Sequence, residues 1–205
     1  MSAPYRRGAQ RGRVTGIILS GGRARRMGGC DKGLQPFRGR PLIESVVERL
    51  APQVDELLIS ANRNIDRYAL LGRPVLPDPT PGFRGPLEGV QRALSQARHP
   101  LVVSVPCDAP LLPRDLVERL LLALEAADAA VAKVGSQTHP VFALYRKEVL
   151  GSLAAYMAAG GRAIHEWHRQ LRVAETCFDD QSAAFTNFNT LEELGAACRS
   201  DPPAP

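Results

Sequence analysis

The sequence predicts a single-domain α/β protein with a mostly parallel central sheet flanked by helices. Short apolar runs alternate with longer stretches whose apolar residues have helical spacing, which is typical of βαβ units. Residues 101–105 are rich in β-branched side chains, as expected of a central strand buried on both faces. The length of 205 residues fits one domain, and no linker-like composition interrupts residues 14–198. We expect that range to fold between a flexible basic arm at residues 1–13 and a loose end at residues 199–205.

The first half of the domain is predicted to contain three strands and two helices. Residues 14–19 form an apolar run that ends in a serine and two glycines, which indicates a buried strand leading into a tight turn. Residues 41–50 have apolar side chains at helical spacing after a proline suited to a first helical turn. Strands are predicted next at residues 56–61 and 75–76, and a helix with one apolar side is predicted at residues 85–97.

The second half continues the alternation of strands and helices. The strand at residues 101–105 is followed by a strongly amphipathic helical pattern at residues 113–127. Two further strands are predicted at residues 130–134 and 140–145. Helical spacing predicts later helices at residues 147–159, 162–171 and 191–198. Ligands of such sheets bind beyond the carboxyl ends of the parallel strands, so the loops that follow those strands are expected to form the functional site.

The positive charge of the chain is concentrated near its start. Residues 1–13 contain four arginines and no acid, and the whole chain has a net charge of +5, so the remainder is nearly neutral. This distribution argues against a broad nucleic-acid-binding face. No apolar run reaches the roughly 20 residues of a membrane span, and no apolar segment of a secretory signal follows the first arginines. Because the four cysteines have no paired spacing, we expect a reduced, cytoplasmic protein with no membrane partner.

A basic, glycine-rich segment follows the first strand. Residues 19–33 contain five glycines, three arginines and Lys32. Glycines let the backbone approach a ligand closely, and successive N–H groups in such a turn can bind an anion. The segment lacks the closing residues of a Walker A loop and the glycine spacing of a dinucleotide fingerprint. We interpret it as a polyphosphate-binding loop; the alternative is a surface loop whose arginines are only solvated.

Carboxylates follow two of the predicted strands. Asp108 lies between two prolines after the strand at residues 101–105, and Asp78 follows the strand at residues 75–76. A carboxylate at the end of a buried strand is well placed to hold a divalent cation, although an aspartate can also simply cap a turn there. An anion-binding loop and a carboxylate–metal site at one sheet edge are typical of phosphoryl or nucleotidyl transfer.

The chain resembles bacterial molybdenum cofactor guanylyltransferases, which have a Rossmann-like fold of the nucleotide-diphospho-sugar transferase type. The resemblance extends over about 180 residues, with the matching motifs in the same order. These motifs are LSGGRARRMGGCDKGL at 19–34, ANR at 61–63, PD at 77–78, PGFRGPLEG at 81–89, PCDAP at 106–110, HPVFAL at 139–144 and NFNTLEEL at 187–194. It implies an enzyme that transfers GMP from GTP to the terminal phosphate of molybdenum-molybdopterin and releases pyrophosphate. The product is the guanine dinucleotide form of the cofactor.

The resemblance also implies site residues, a metal and partners. Its implied catalytic residues are Lys32, Asp108 and Arg26, with Asp108 binding Mg²⁺. Nucleotide-binding positions are implied at Leu19, Ser20, Gly21, Gly22, Lys32, Ser60, Asn62, Asp78, Gly82 and Asp108. Pterin-binding positions are implied at Arg162, Asn187 and Asn189. Besides GTP and molybdenum-molybdopterin as substrates, other cofactor-biosynthesis proteins and molybdoenzyme chaperones are candidates for transient contact.

Other functions remain open from the sequence alone. A cytidylyltransferase for the same cofactor, or another nucleotidyltransferase of the same fold such as a sugar-1-phosphate guanylyltransferase, would use a similar site. A non-catalytic nucleotide-binding partner in cofactor insertion is a third alternative. The glycine at position 21 resembles the guanylyltransferase branch of the family, because cytidylyltransferase relatives tend to carry an alanine at that position. Ser60 departs from the family pattern, since relatives can carry an asparagine in that loop, so we expect backbone groups to contribute to reading the base.

Overall fold

A computed structural model describes residues 13–20, 31–77 and 85–185 of the chain. Its strands are β1 (Val14–Leu19), β2 (Pro36–Phe37), β3 (Arg40–Pro41), β4 (Glu56–Ser60), β5 (Val75–Leu76), β6 (Leu101–Pro106), β7 (Ala129–Val134), β8 (Gln137–Arg146) and β9 (Val173–Cys177). Its α-helices are α1 (Leu42–Leu50), α2 (Ile65–Ala69), α3 (Pro86–Gln96), α4 (Leu116–Leu124), α5 (Leu150–Ala158) and α6 (Ile164–His168). No helix in the part of the chain described here is long and apolar enough to cross a membrane.

The strands form a mostly parallel sheet, as the sequence predicts. Its order is β5-β4-β1-β6-β8-β7-β9, and β2 pairs with β3 in a separate antiparallel hairpin. Strands β5, β4, β1 and β6 run parallel to one another, whereas β8 runs antiparallel to both of its neighbours. This reversal follows from the short turn between β7 and β8, where Gly135 has a φ of 56°. The carboxyl ends of β4, β1 and β6 therefore meet at one edge of the sheet.

Helices cover both faces of the sheet. On β1, Ile18 belongs to a core with α1 and α4, whereas the preceding Ile17 belongs to a second core with α3, α5 and α6. Both side chains are completely buried, because successive residues of a strand point to opposite faces. This double burial explains why the β1 and β6 sequences are almost wholly apolar. The three-layer arrangement confirms the predicted fold class.

Several predicted boundaries and elements differ from the structure. The helix predicted at residues 113–127 is confined to α4 and ends where Glu125 takes a φ of 27°. The helix predicted at residues 162–171 is the shorter α6, because Ala163 is extended. Helix α2, the β2–β3 hairpin and the edge strand β9 were not predicted. The helix predicted at residues 191–198 lies outside the described residues.

Candidate active site

The site is built where β1, β4 and β6 end. The backbone N–H of Ser20 donates to the carbonyl oxygen of Ser60 over 2.8 Å, and the N–H of Cys107 donates to the carbonyl oxygen of Leu19 over 3.2 Å. These bonds continue the pairing of the three strands just beyond their carboxyl ends. The positions of Ser20 and of Cys107, the residue before Asp108, are thereby set by the sheet rather than by loops alone.

A cleft of about 210 Å³ opens beside these strand ends. Its lining combines ionic side chains and a hydroxyl with apolar side chains. The lining residues are Leu19, Ser20, Asp31, Lys32, Arg63, Pro86, Pro106, Cys107, Asp108 and Val141. A small cleft that joins cationic groups, a carboxylate and apolar walls suits an anionic ligand with an apolar portion.

Lys32 and Asp108 form an ion pair inside this cleft. The Lys32 Nζ contacts Asp108 Oδ2, and the two side chains are 23% and 9% exposed. The Asp108 carboxylate thus lies largely out of water and faces a cation. Two residues that sequence analysis assigned to catalysis, 76 positions apart in the chain, meet in one place.

Asp31 anchors the segment that carries Lys32. Its Oδ1 accepts a hydrogen bond of 2.5 Å from the Tyr68 hydroxyl, and its Oδ2 accepts one of 2.8 Å from Asn64 Nδ2. Tyr68 is completely buried, and this burial, together with the hydrogen bond to the Asp31 carboxylate, raises the pKa of its hydroxyl. The hydroxyl therefore stays protonated and donates. Both carboxylate oxygens of Asp31 are thus used in holding the chain, which distinguishes it from Asp108.

Gly33 allows this segment to lie against the sheet edge. A Cβ at Gly33 would lie 2.7 Å from the Tyr68 hydroxyl oxygen and 3.3 Å from the Cys107 Cβ, so a larger residue would push the segment away. Cys107 is a buried packing residue there. Burial, and then the neighbouring Asp108 carboxylate, raise the pKa of the Cys107 thiol to about 12, which keeps it protonated and unreactive near neutral pH.

Helix α3 closes the site from the other face of the sheet. Gly89 packs directly on the ends of β1 and β4: a Cβ there would lie 2.6 Å from Leu19 Cδ2 and 2.8 Å from Ser60 Oγ. Ser60 is 3% exposed and is covered by this contact. Gly85, just before the helix, has a φ of 97° that favours glycine. Pro86 at the first helical position places the helix start in the cleft wall.

The structure brings together only part of the set implied by sequence. Leu19, Ser20, Lys32 and Asp108 line the cleft, whereas Ser60 and Asn62 lie nearby without lining it. Arg162 does not line it either: its Nη1 donates to the carbonyl oxygens of Met157 and Gly161 over 2.8 and 2.5 Å. The remaining implied residues lie outside the described residues; they are Gly21, Gly22, Arg26, Asp78, Gly82, Asn187 and Asn189.

Arg63, Asp31 and Tyr68 were missed as site residues. Arg63 lines the cleft from the loop after β4, and its place directly after a predicted strand was the available signal. Asp31 precedes Lys32 in the first motif, but no role was assigned to it. The role of Tyr68 depends on helix α2, which carries no clear apolar periodicity, so nothing in the sequence alone indicated it.

A second cleft, of about 580 Å³, lies beneath α6 on the β8–β7–β9 half of the sheet. Its polar groups come mainly from α6 and β9, and its apolar walls come from the strands. The lining residues are Val131, Thr138, Pro140, His165, His168, Arg169, Val173 and Glu175. His168 is 9% exposed and packs beside Tyr145 and Trp167.

Sequence comparisons match most of the chain. Residues 16–173 match the model of the MobA-like NTP transferase domain. The chain is 50% identical over 190 residues to a molybdenum cofactor guanylyltransferase of Cupriavidus taiwanensis, covering 89% of this chain and 95% of that protein. It is 48% identical over 182 residues to one of Shewanella putrefaciens, covering 88% and 93%.

Structural comparisons find the same fold in more distant proteins. The molybdopterin-guanine dinucleotide biosynthesis protein A of Archaeoglobus fulgidus superposes with a TM-score of 0.74 at 24% identity, covering 89% of this chain and 96% of that one. The 2-C-methyl-D-erythritol 4-phosphate cytidylyltransferase of Thermus thermophilus superposes with a TM-score of 0.67 at 18% identity, covering 88% and 95%. At these identities the likeness concerns the fold.

Proposed function

Because the chain belongs to the MobA-like NTP transferase family, we propose that it transfers GMP from GTP to molybdenum-molybdopterin, forming the guanine dinucleotide cofactor and pyrophosphate. The observation that carries the proposal is the Lys32–Asp108 pair in a cleft at the carboxyl ends of β1 and β6. The relatives that share about half of this sequence are named for guanylyl transfer. That agreement favours guanylyl over cytidylyl transfer and over a non-catalytic nucleotide-binding role.

The reaction is an in-line displacement at the α-phosphorus of GTP. An oxygen of the acceptor's terminal phosphate forms the new P–O bond, and the bond to the bridging oxygen of the β-phosphate breaks, so pyrophosphate leaves. No general base is needed, because a phosphate monoester is already ionised near neutral pH. The main barriers are charge repulsion and orientation, which fixed cations relieve. Lys32 supplies such a cation, and Arg63 adds another in the same cleft.

We propose Asp108 as the Mg²⁺ ligand contributed by the described residues. Its carboxylate is largely buried and faces the Lys32 ammonium, so the site already favours a cation, and carboxylate oxygens suit Mg²⁺. No cluster of three or more metal-ligating side chains occurs within residues 13–20, 31–77 and 85–185. Mg²⁺ is often held by one or two carboxylates together with substrate phosphates. When bound, Mg²⁺ would neutralise negative charge on the triphosphate.

The cleft fits part of a nucleotide. Its volume of about 210 Å³ is below the roughly 300–1,000 Å³ usual for complete ligand sites. Leu19 and Pro86 give the apolar wall, and Lys32 and Asp108 mark the phosphate end. We propose that the remainder of the GTP site comes from the glycine-rich segment after β1, and that the reaction takes place in the cytoplasm.

Titration of the protein with GTP, with and without Mg²⁺, tests this assignment. The Asp108→Asn variant should keep the fold and lose most of the Mg²⁺-dependent gain in GTP affinity. Asp115→Asn is the matched control, because Asp115 hydrogen-bonds Gln181 and does not line the cleft. Equal Mg²⁺ dependence in wild type and Asp108→Asn would remove Asp108 from the metal site.

A further inference from the structure

Four arginines from the β2–β3 hairpin, α1 and the loop before α4 gather around one carboxylate. Arg40 Nη2 lies 2.7 Å from Glu48 Oε2, and Arg114 Nη2 lies 4.0 Å from Glu48 Oε1. The Arg49 guanidinium interacts electrostatically with Arg38, Arg114 and Glu48. Four positive charges against one negative charge leave a net charge of +3. We call Arg38, Arg40, Arg49 and Arg114 the arginine surface, and none of these residues lines either of the two clefts.

The like charges of the arginine surface are held together against their mutual repulsion. Burial, and then the charge of Arg114, lower the pKa of Arg49, and the charge of Arg38 lowers it further. Arg49 Nη1 donates to the carbonyl oxygen of Leu112 over 3.0 Å, which fixes its guanidinium beside the loop that carries Arg114. An anion bound among these groups would relieve the repulsion, so the surface favours an acidic ligand.

Arg38 has a backbone conformation that disfavours an arginine. Arg38 and Gly39 form the two-residue turn of the β2–β3 hairpin, with φ values of 52° and 81°. Hairpin turns with a positive φ at both positions are typically Asn-Gly, Asp-Gly or Gly-Gly. Arg38 is exposed, and its guanidinium lies over the buried Phe37 ring, 5.1 Å from the ring centroid. Formation of the hairpin therefore does not explain the arginine, which presents its charge at an exposed tip.

The chain connects the arginine surface to the ion pair of the nucleotide cleft in two places. Arg38 follows Lys32 by six positions, and Arg114 follows Asp108 by six positions. Six residues of fully extended chain span at most about 22 Å. A ligand bound at Arg38 and Arg114 would therefore contact two segments that lead directly into the cleft.

We propose that the arginine surface docks an acidic segment of a partner protein. Guanidinium groups bind carboxylates through paired N–H donors, and arginine is enriched in protein–protein interfaces. The surface is formed by a hairpin tip, one side of a helix and a loop, which suits an extended segment better than a small anion. Glu48 within it would repel the closely spaced phosphates of a nucleic acid. The inference goes beyond the proposed function, because it does not depend on guanylyl transfer.

Fluorescence anisotropy of a labelled peptide of eight glutamates, titrated with the full chain at low salt, tests the docking. The double variant Arg38→Asn/Arg114→Gln removes two charges of the surface, and asparagine suits the hairpin turn, so the fold should be kept. The control Arg67→Asn/Arg73→Gln removes the same charge at two exposed positions outside the surface. We expect the first variant to bind the peptide about tenfold more weakly than wild type, and the control to bind within about twofold.

Thermal melting and steady-state guanylyl transfer complete the test. The Arg38→Asn/Arg114→Gln variant should melt no lower than wild type and keep its kcat/KM with free substrates, because neither residue lines the nucleotide cleft. The inference is overturned if wild type does not bind the peptide, or if both double variants lose binding equally, since net charge alone would then explain it. Tighter binding of a DNA duplex than of the peptide, through the same two arginines, would also overturn it. If wild type binds the peptide through these arginines but transfers no GMP, the docking surface stands and the proposed function fails.

Discussion

Replacing Gly89 by alanine tests whether α3 must touch the strand ends that carry the nucleotide cleft. The new Cβ would lie 2.6 Å from Leu19 Cδ2, 2.8 Å from Ser60 Oγ and 3.2 Å from Ser60 Cβ, all closer than ordinary contact. Ser60 is buried and cannot move outward, so Leu19 has to yield, and Leu19 lines the cleft. The expected effect is therefore a loss of both stability and nucleotide affinity.

The magnitude follows from two opposing contributions. Alanine in a helix interior is favoured over glycine by about 1 kcal/mol, whereas overpacking of a close contact costs about 1–3 kcal/mol. We expect Gly89→Ala to lower the free energy of unfolding by about 1 kcal/mol, which is a few degrees in Tm for a domain of this size. Gly151→Ala is the matched control, because Gly151 lies in α5 and its Cβ would meet nothing within 4 Å. That variant should be more stable than wild type by about 0.5–1 kcal/mol.

Thermal melting and GTP titration together measure the outcome. The Gly89→Ala variant should melt below wild type and bind GTP about tenfold more weakly, which corresponds to about 1.4 kcal/mol. The Gly151→Ala variant should melt slightly above wild type with unchanged GTP affinity. If Gly89→Ala is as stable as Gly151→Ala and binds GTP normally, the close packing of α3 on Leu19 and Ser60 does not shape the site.

Two further predictions concern buried side chains on opposite faces of the sheet. Tyr68→Phe removes the hydroxyl that donates to Asp31, and it should weaken GTP binding about tenfold, because hydrogen bonds to charged groups contribute roughly 1.5–3 kcal/mol. Tyr145 is equally buried, but its hydroxyl is bonded to His168. The control variant Tyr145→Phe should therefore leave GTP affinity unchanged in the same titration. Burial, and then the charge of His165, lower the pKa of His168 to about 4, so the unfolded chain takes up a proton there first as the pH falls. The free energy of unfolding should therefore decline from about pH 6.5 toward pH 4, by up to roughly 3 kcal/mol from this group. The His168→Gln variant should flatten that part of the pH profile. Denaturant melts followed by the fluorescence of Trp167, the single tryptophan, measure both proteins. An identical acid profile in both proteins would contradict a buried neutral His168.

The sequence predicted most of the fold because burial on both faces leaves a clear pattern. Strands β1 and β6 are nearly continuous apolar runs, and α3 places Leu87, Val90 and Leu94 on one side, where all three are completely buried. Strand β9 lacked such a pattern, because it lies at the sheet edge and mixes Glu175 and Thr176 with apolar residues. Its pairing with β7 comes from tertiary packing rather than from local sequence preference.

The site was predictable where residues follow strands in the chain and unpredictable where packing decides. Lys32 and Asp108 were identified from their motifs, and the structure confirms that they lie together. The anchoring of Asp31 by Tyr68 joins residues 37 positions apart across an unpredicted helix, so no local pattern reports it. Arg162, which the family resemblance implies as a pterin-binding residue, donates from its guanidinium to the carbonyl oxygens of Met157 and Gly161, and no local sequence pattern indicates these contacts.

Paired turnover with GTP and CTP measures whether the protein transfers guanylyl groups to molybdopterin. Purified protein with Mg²⁺ and molybdenum-molybdopterin is supplied with each nucleotide in turn, and the dinucleotide product and pyrophosphate are quantified. Any buried acceptor that pairs with the N1–H and N2 amino groups of guanine would be left unpaired by cytosine, and such mismatches reject an analogue by orders of magnitude. We predict stoichiometric pyrophosphate and guanine dinucleotide, with kcat/KM for GTP at least about a hundredfold above that for CTP. A kcat/KM for CTP equal to or above that for GTP, or no dinucleotide from either nucleotide, would contradict the account.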